Sequence, residues 1–290
     1  MNGILLVDKP QDFTSHDVVA KLRGILHERR IGHSGTLDPM ATGLLVVFVG
    51  RATRAVEFAE SHEKEYIAAV RTGLTTNTQD VTGETLATCD RPVSAAEFQA
   101  VLPEFLGEQQ QLPPMYSAIK VDGKKLCDLA RKGVEVERKT RTIEIRALEY
   151  LGEDENGDHR LRVVCSKCTY IRALANDIGQ RLGTGAALSA LRRARAGVFS
   201  VEDAHTLAEI QAAADRSEAE GLLLPVDLLF SDCPAVTIDA AQEKKCRVGA
   251  SFAFPGADGD CRVYAPDGEF LLLGRVENGE MHTVKSFFEV

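Results

Sequence analysis

The sequence predicts an α+β fold in which a large, mixed but mostly antiparallel sheet is flanked by helices and followed by a small β-barrel. Three observations predict it. The chain opens with a short apolar strand at 3–7, a turn and a helical pattern with N-cap residues ahead of it. Residues 141–170 read as two strands joined by an acidic, glycine-containing turn at 152–158. After Cys233 and Pro234, six glycines are spaced among short apolar runs such as FLLLGRV. That pattern suits a small all-β unit of about 55 residues.

Each element has its own grounds. Thr14, Ser15, His16 and Asp17 offer N-caps to VVAKLRGILH, whose Val18, Val19, Leu22, Ile25 and Leu26 fall at helical spacing. Next comes 30–54, RIGHSGTLDPMATGLLVVFVGRATR, with one carboxylate, Asp38, in a glycine-rich turn. Gly32 and Gly35 flank His33 and Ser34, and Pro39 biases Asp38 toward an extended backbone. The LLVVFV run at 44–49 is one buried strand and far too short to span a membrane. A polar loop mounted on a rigid strand is where catalytic groups are usually held.

KEYIAAVRTG at 64–73, with Tyr66, reads as a strand buried on both faces. Residues 71–93 have hairpin character, and Ser94 caps a short helix. Residues 112–139 begin with a Pro-Pro pair, pass a turn at Asp122 and Gly123, and hold a short basic helix ending at Gly133. Such a loop, apolar at its base and basic at its tip, can close over a polyanion. The longest helical pattern starts at Tyr170, with Ile171, Leu174, Ala175 and Ile178 on one stripe and Gly183 and Gly185 as its stop. Arg172 lies about one turn into it, where a guanidinium can meet a carboxylate in bidentate geometry. The basic run Arg192, Arg193, Arg195 reads, taken alone, as a solvated helix face. A helix and the leucine-rich GLLLPVDLLF close the large unit near residue 232.

The net charge of -9 argues at first against a nucleic-acid partner, but its distribution reverses that reading. Residues 1–200 hold 27 basic against 26 acidic side chains, whereas 201–290 hold 7 against 17. Within 120–141 there are eight basic and four acidic residues, so local basic surfaces remain in the first part. Seven cysteines without regular spacing do not form a disulfide framework, and the lone Cys165-x-x-Cys168 pair lacks the further ligands of a zinc site. The N-terminal MNGILLVDKP has neither the basic start nor the apolar length of an export signal, which implies a cytoplasmic protein.

Together these stretches resemble the bacterial tRNA pseudouridine-55 synthases, the TruB family, over nearly the whole chain. The carrying segments are LLVDKPQDFTSHDVV at 5–19, GHSGTLDPMATGLLVVFVGRATR at 32–54, KEYIAAVRTG at 64–73, PPMYSAIKVDGKKL at 113–126, and CSKCTYIRALANDIGQRLG with LRRARAG at 165–197. The resemblance implies a pseudouridine synthase domain over 1–232, with 112–139 as an RNA-contacting insertion, and an RNA-binding PUA-like domain over 233–290. It implies an isomerase that detaches uridine 55 in the tRNA T-loop from its sugar, rotates it and rejoins it through carbon, without metal or redox cofactor.

By the resemblance Asp38 is the catalytic carboxylate, acting as nucleophile or base, with Tyr66 stacked on the target base and Arg172 beside Asp38. His33 matches the histidine that fills the space left by the flipped nucleotide. Lys9, Tyr170 and Leu191 match positions lining the pocket. The implied partner is tRNA; every recognised motif can be assigned within one chain, which predicts a monomer, and the motifs are compatible with an additional role in tRNA folding. Cys168 stands where the family usually has glycine, and Cys127 where an aromatic is common. Two other classes compete: a non-catalytic RNA-binding protein using the same groove, and phosphoryl transfer through an aspartyl intermediate. The latter is disfavoured because no Gly-Lys-Ser/Thr loop or paired magnesium carboxylates accompany Asp38.

Overall fold

The computed structural model describes residues 1–60, 63–117, 119–121 and 123–288. Its first strand, β1 (Gly3–Lys9), leads into α1 (Ser15–Leu26) through a reciprocal cap: Thr14 Oγ1 accepts from the Asp17 amide while the Asp17 carboxylate accepts from the Thr14 amide. Such a cap holds the helix start by about 1 kcal/mol. The chain then forms β2 (Ile31–Ser34) and β3 (Thr42–Val49). Here the sequence expectation of a continuous glycine-rich turn needs correction. Gly32 and His33 lie in a strand whose residues pair with Val46 to Val49, and the turn proper begins at Gly35, with φ of +65°.

After α2 (Val56–Glu60) come β4 (Lys64–Thr72) and the predicted hairpin, β5 (Leu74–Thr76) with β6 (Thr85–Thr88). Ser94 caps α3 (Ala95–Val101), and β7 (Gly107–Gln111) follows. The segment at 112–139 contains β8 (Lys120–Val121), β9 (Lys124–Lys125) and α4 (Leu126–Ala130). Of the turn expected there, Gly123 has φ of +78°, and Asp122 lies outside the described residues. The long pair β10 (Arg141–Glu153) and β11 (His159–Cys165) precedes α5 (Ile171–Leu182), which stops at Gly183. Then come β12 (Ala186–Ala196), β13 (Phe199–Ser200) and α6 (Leu207–Asp215).

The large sheet runs β1-β3-β12-β4-β11-β10-β7, with β2 against β3 and β13 against β12. All its pairs are antiparallel except β3 with β12, where Arg192 and Arg193 lie beside Thr42 and Gly43. The arginine run is therefore not a helix face. It lies on β12, an interior strand of the sheet, and Arg193 is only 1% exposed.

The core explains the layering. One face of β4, β11 and β12, with Tyr66, Ala68, Val163, Leu188 and Leu191, packs against Leu174 and Ile178 of α5 and Phe98 of α3. β4 is not apolar on both faces as its composition suggests. Its other face carries Glu65, bound by Arg162 at 2.8 and 3.1 Å, and Arg71, bound to Asp158. β1 and β3 are sandwiched: Leu5, Val7, Leu45 and Val47 meet α1 and α6, while Leu6, Leu44 and Phe48 share a cluster with Phe230 and Phe287.

The remaining chain forms β14 (Ala235–Thr237), α7 (Ala240–Arg247), β15 (Phe252–Ala253), β16 (Gly259–Tyr264), β17 (Phe270–Glu277) and β18 (Glu280–Ser286). These strands make a second, curled sheet in the order β14-β16-β17-β18-β15. α7, with its Asp239 capping box, was not foreseen among the glycine turns. Arg51 and Arg54, in the turn after β3, donate to the carbonyls of Phe288 and Ser286, and Lys285 pairs with Glu57 at 2.7 Å.

Candidate active site

Asp38 projects from the loop between β2 and β3 into a cleft of about 460 Å³. A volume between about 300 and 1,000 Å³ is usual for small-molecule sites. The loop is fastened from behind. Ser15 Oγ accepts from the Leu37 amide at 2.9 Å and donates to the Leu37 carbonyl at 3.2 Å. The Asp12 amide donates to the Pro39 carbonyl, and the Ala41 amide closes a turn on the Asp38 carbonyl.

Arg172, in the first turn of α5, reaches Asp38 with two prongs: Nε to Oδ2 at 2.8 Å and Nη2 to Oδ1 at 3.2 Å. Its other donations, to the Thr78 and Tyr116 carbonyls at 2.9 and 2.8 Å, fix the plane of the guanidinium. A second carboxylate, Asp80, stands 3.7 Å from Arg172 Nε. Asp80 is itself held by Thr78 Oγ1 and by the amide and hydroxyl of Thr82. Exposure divides the three: the Asp38 side chain is 37% exposed, while those of Arg172 and Asp80 are 5% and 7%. The buried cation is thus neutralised on both sides, and only Asp38 offers lone pairs to a ligand. A bidentate, charge-assisted pair of this kind fixes direction as well as charge.

Five of the seven residues singled out in the sequence meet at this cleft: Asp38, Tyr66, Tyr170, Arg172 and Leu191. Tyr66 is buried on β4, and that burial pushes its phenol upward from the usual value. Burial does the same to Tyr170, the residue preceding α5, whose backbone amide and carbonyl both bond the Gln111 side chain.

Lys9 and His33 do not line the cleft. Lys9 is fully buried beneath the loop, where its ammonium donates to the carbonyls of Phe13 at 2.5 Å, Pro10 at 2.9 Å and Pro39 at 3.3 Å. Burial lowers its pKa from 10.5 to about 8. Its bond to the Pro39 carbonyl places it directly against the Asp38 turn. His33 sits on β2, where burial and the nearby Arg193 charge lower its pKa, and its Nδ1 has no hydrogen-bond partner among the described residues.

Sequence reasoning missed Asp80, Thr78 and Arg193. Asp80 in TTNTQDVTG looked like one acidic residue of a polar hairpin, and a carboxylate flanked by threonines two residues away on either side was the available signal. Cys168 lines the cleft with φ of +65°, the left-handed backbone that glycine adopts without cost. Cys165 is buried and its thiol is pushed up to about 11, so the two cysteines sit in unlike settings. Among the described residues no group of three or more His, Cys, Asp or Glu could hold a metal ion, and no helix is long and apolar enough to cross a membrane.

A mixed sheet that carries an arginine-clamped carboxylate in a cleft, joined to a second, curled sheet, is the architecture of a pseudouridine synthase. Solved structures agree across 99% of this chain. A chain of a Cbf5–Nop10–Gar1 complex matches with a TM-score of 0.76 and 28% identity, over 85% of its own length. A chain of an H/ACA ribonucleoprotein bound to a substrate RNA containing 2'-deoxyuridine matches with a TM-score of 0.75 and 26% identity, also over 85% of its length.

Residues 23–171 match the family model of the TruB family pseudouridylate synthase N-terminal domain, and 172–231 match that of the tRNA pseudouridylate synthase B C-terminal domain. Curated relatives named tRNA pseudouridine synthase B include one from Syntrophomonas wolfei, 42% identical over 98% of this chain and 96% of its own. Another, from Geobacillus thermodenitrificans, is 41% identical over 94% of both chains. The chain belongs to the TruB family of pseudouridine synthases, and it is an isomerase.

Proposed function

We propose that this protein isomerises uridine 55 in the T-loop of tRNA to pseudouridine, with Asp38 as the catalytic nucleophile. The single observation that carries the reading is the Asp38–Arg172 pair: a carboxylate aimed by two prongs, with its free lone pairs open to a cleft of nucleoside size. The target base is extruded from the RNA to reach it, and Tyr66 provides an aromatic surface that replaces part of the lost stacking. The atoms balance within the nucleotide. The N1–C1' bond breaks, C5 bonds to C1', the proton on C5 leaves to solvent and N1 takes up a proton.

Tyr170 and Leu191 shape the pocket wall, Lys9 holds the Asp38 turn in place, and His33 fills the space that the flipped nucleotide leaves in the RNA. Residues 1–232 act as the catalytic domain, 112–139 contact RNA, and 233–290 form the PUA-like RNA-binding domain. The protein works in the cytoplasm as a monomer, without an obligate protein partner or cofactor, and an additional tRNA-folding role uses the same groove.

Tritium release from tRNA transcript labelled at C5 of uridine tests the reading. Release that requires both Asp38 and that uridine is expected, so Asp38→Asn and a uridine-to-cytidine T-loop transcript should each abolish it while tRNA still binds. Unchanged release from Asp38→Asn would remove Asp38 from the chemistry. A refolding effect on tRNA that survives Asp38→Asn would establish the second role.

A further inference from the structure

The mechanism above leaves a deeply buried charge at the cleft, Arg193, unused. Arg193, in the middle of β12, is 1% exposed yet contributes to the cleft wall. No carboxylate pairs with it among the described residues, and burying such a charge is costly unless its donors are met. Its register explains where the side chain goes. On one side Arg193 is the cross-strand partner of Tyr66, and on the other it stands beside Gly43. From there Nη2 donates to the Gly35 carbonyl at 2.9 Å and Nε to the Leu44 carbonyl at 2.7 Å. Gly35 opens the loop that carries Asp38, and Leu44 follows its close.

The approach leaves no spare room. A Cβ added at Gly35 would lie 3.0 Å from Arg193 Nη1, and one at Gly43 would lie 2.4 Å from the Arg193 carbonyl oxygen. Arg193 and Tyr66 are neighbours on adjacent strands and both line the cleft, and the guanidinium charge offsets part of the effect of burying that phenol. One side chain therefore bonds both ends of the Asp38 loop while standing beside the aromatic residue of the next strand.

We propose that Arg193 is a positioning residue for the isomerisation: it ties both ends of the Asp38 loop to the stretch of β12 that lies beside Tyr66, so that the nucleophile and the stacking platform keep a fixed separation. The proposal rests on the roles given above to Asp38 and Tyr66. A lysine at this position keeps the charge but presents a single nitrogen, which cannot hold the Gly35 and Leu44 carbonyls together in the same geometry.

The test is a cycle of wild type, Arg193→Lys, Tyr66→Phe and the double variant, read by single-turnover tritium release and by tRNA affinity in filter binding. Arg193→Lys should slow single turnover by roughly 100-fold, the loss typical of a small misplacement of reacting groups, while tRNA affinity stays near wild type. The two single effects should be non-additive, because the two side chains are cross-strand neighbours on the same wall of the cleft. Additive effects, or equal loss of rate and affinity, overturn the proposal.

Gly35→Ala presses on Nη1 with Arg193 still present, and it answers the question should Arg193→Lys not fold. The folded variant should show the same loss of rate at retained affinity, and an undiminished rate overturns the proposal. Release that persists in Asp38→Asn would instead strike the underlying reading of the nucleophile, whatever Arg193 does.

Discussion

Arg172→Lys tests the carboxylate clamp most directly, because it removes geometry and keeps charge. In the wild type two nitrogens meet two Asp38 oxygens at 2.8 and 3.2 Å, and two more donations fix the guanidinium to the Thr78 and Tyr116 carbonyls. An ammonium can hold one Asp38 oxygen but cannot reproduce the planar fork. A hydrogen bond to a charged group contributes about 1.5–3 kcal/mol. Asp38 is more than one-third exposed, so its own share of the loss is partly screened by water, whereas the two carbonyls lose buried donors outright. Taking about 2–3 kcal/mol for the lost aim of the carboxylate gives a fall in single-turnover rate of roughly 30- to 150-fold. The assay is tritium release under single-turnover conditions, with tRNA affinity measured in parallel. Turnover close to wild type would refute the argument that bidentate aim matters, and a matching loss of affinity would recast Arg172 as a phosphate contact.

The other predictions concern the supports of the same loop. Burial lowers Lys9 from 10.5 to about 8, so between those values the unfolded chain still carries a proton that the folded chain has released. Stability contributed at this position therefore rises with pH across that window. In urea titrations below and within the window, the stability of wild type relative to Lys9→Met should grow with pH, and a constant difference would contradict the burial argument. Cys168→Gly should stabilise the fold by about 0.5–1 kcal/mol, since a left-handed backbone costs an ordinary residue about 1–2 kcal/mol and the greater chain entropy of glycine takes back part of it. Its thermal midpoint should rise, and a lower midpoint would mean that contacts of the thiol outweigh the backbone strain.

What was legible in the sequence was mainly local. The Thr14 cap, the Asp38 turn on its apolar strand, the hairpins and the stop at Gly183 follow from nearest-neighbour chemistry, and the structure shows each. Residues 186–196 were not legible as a strand, because ALSALRRARA offers helix formers and arginines where a buried strand usually shows branched apolar side chains. Only tertiary pairing between β3 and β4 decides it, and the small alanines then serve close packing.

The same non-locality hid much of the candidate site. Arg193 reads as surface charge until its strand is placed, and Lys9 reads as a pocket residue until the loop folds over it. Asp80 becomes visible only when α5 brings Arg172 within 3.7 Å.

The order of strands has a consequence for how the molecule is made. β12 is the last long strand of the large sheet in sequence, yet it fills the gap between β3 and β4, which were synthesised more than a hundred residues earlier. Until it emerges, both of those strands present unpaired edges, which invite pairing with other chains. Loop closure over such distances also slows folding. Asp38 is thus made early but has no clamp until the final strand and its preceding helix arrive. The nascent chain joins the two halves of its sheet in one closing event: a ribosome-bound fragment ending before residue 186 carries both Asp38 and Arg172, but on strand groups that β12 has not yet joined.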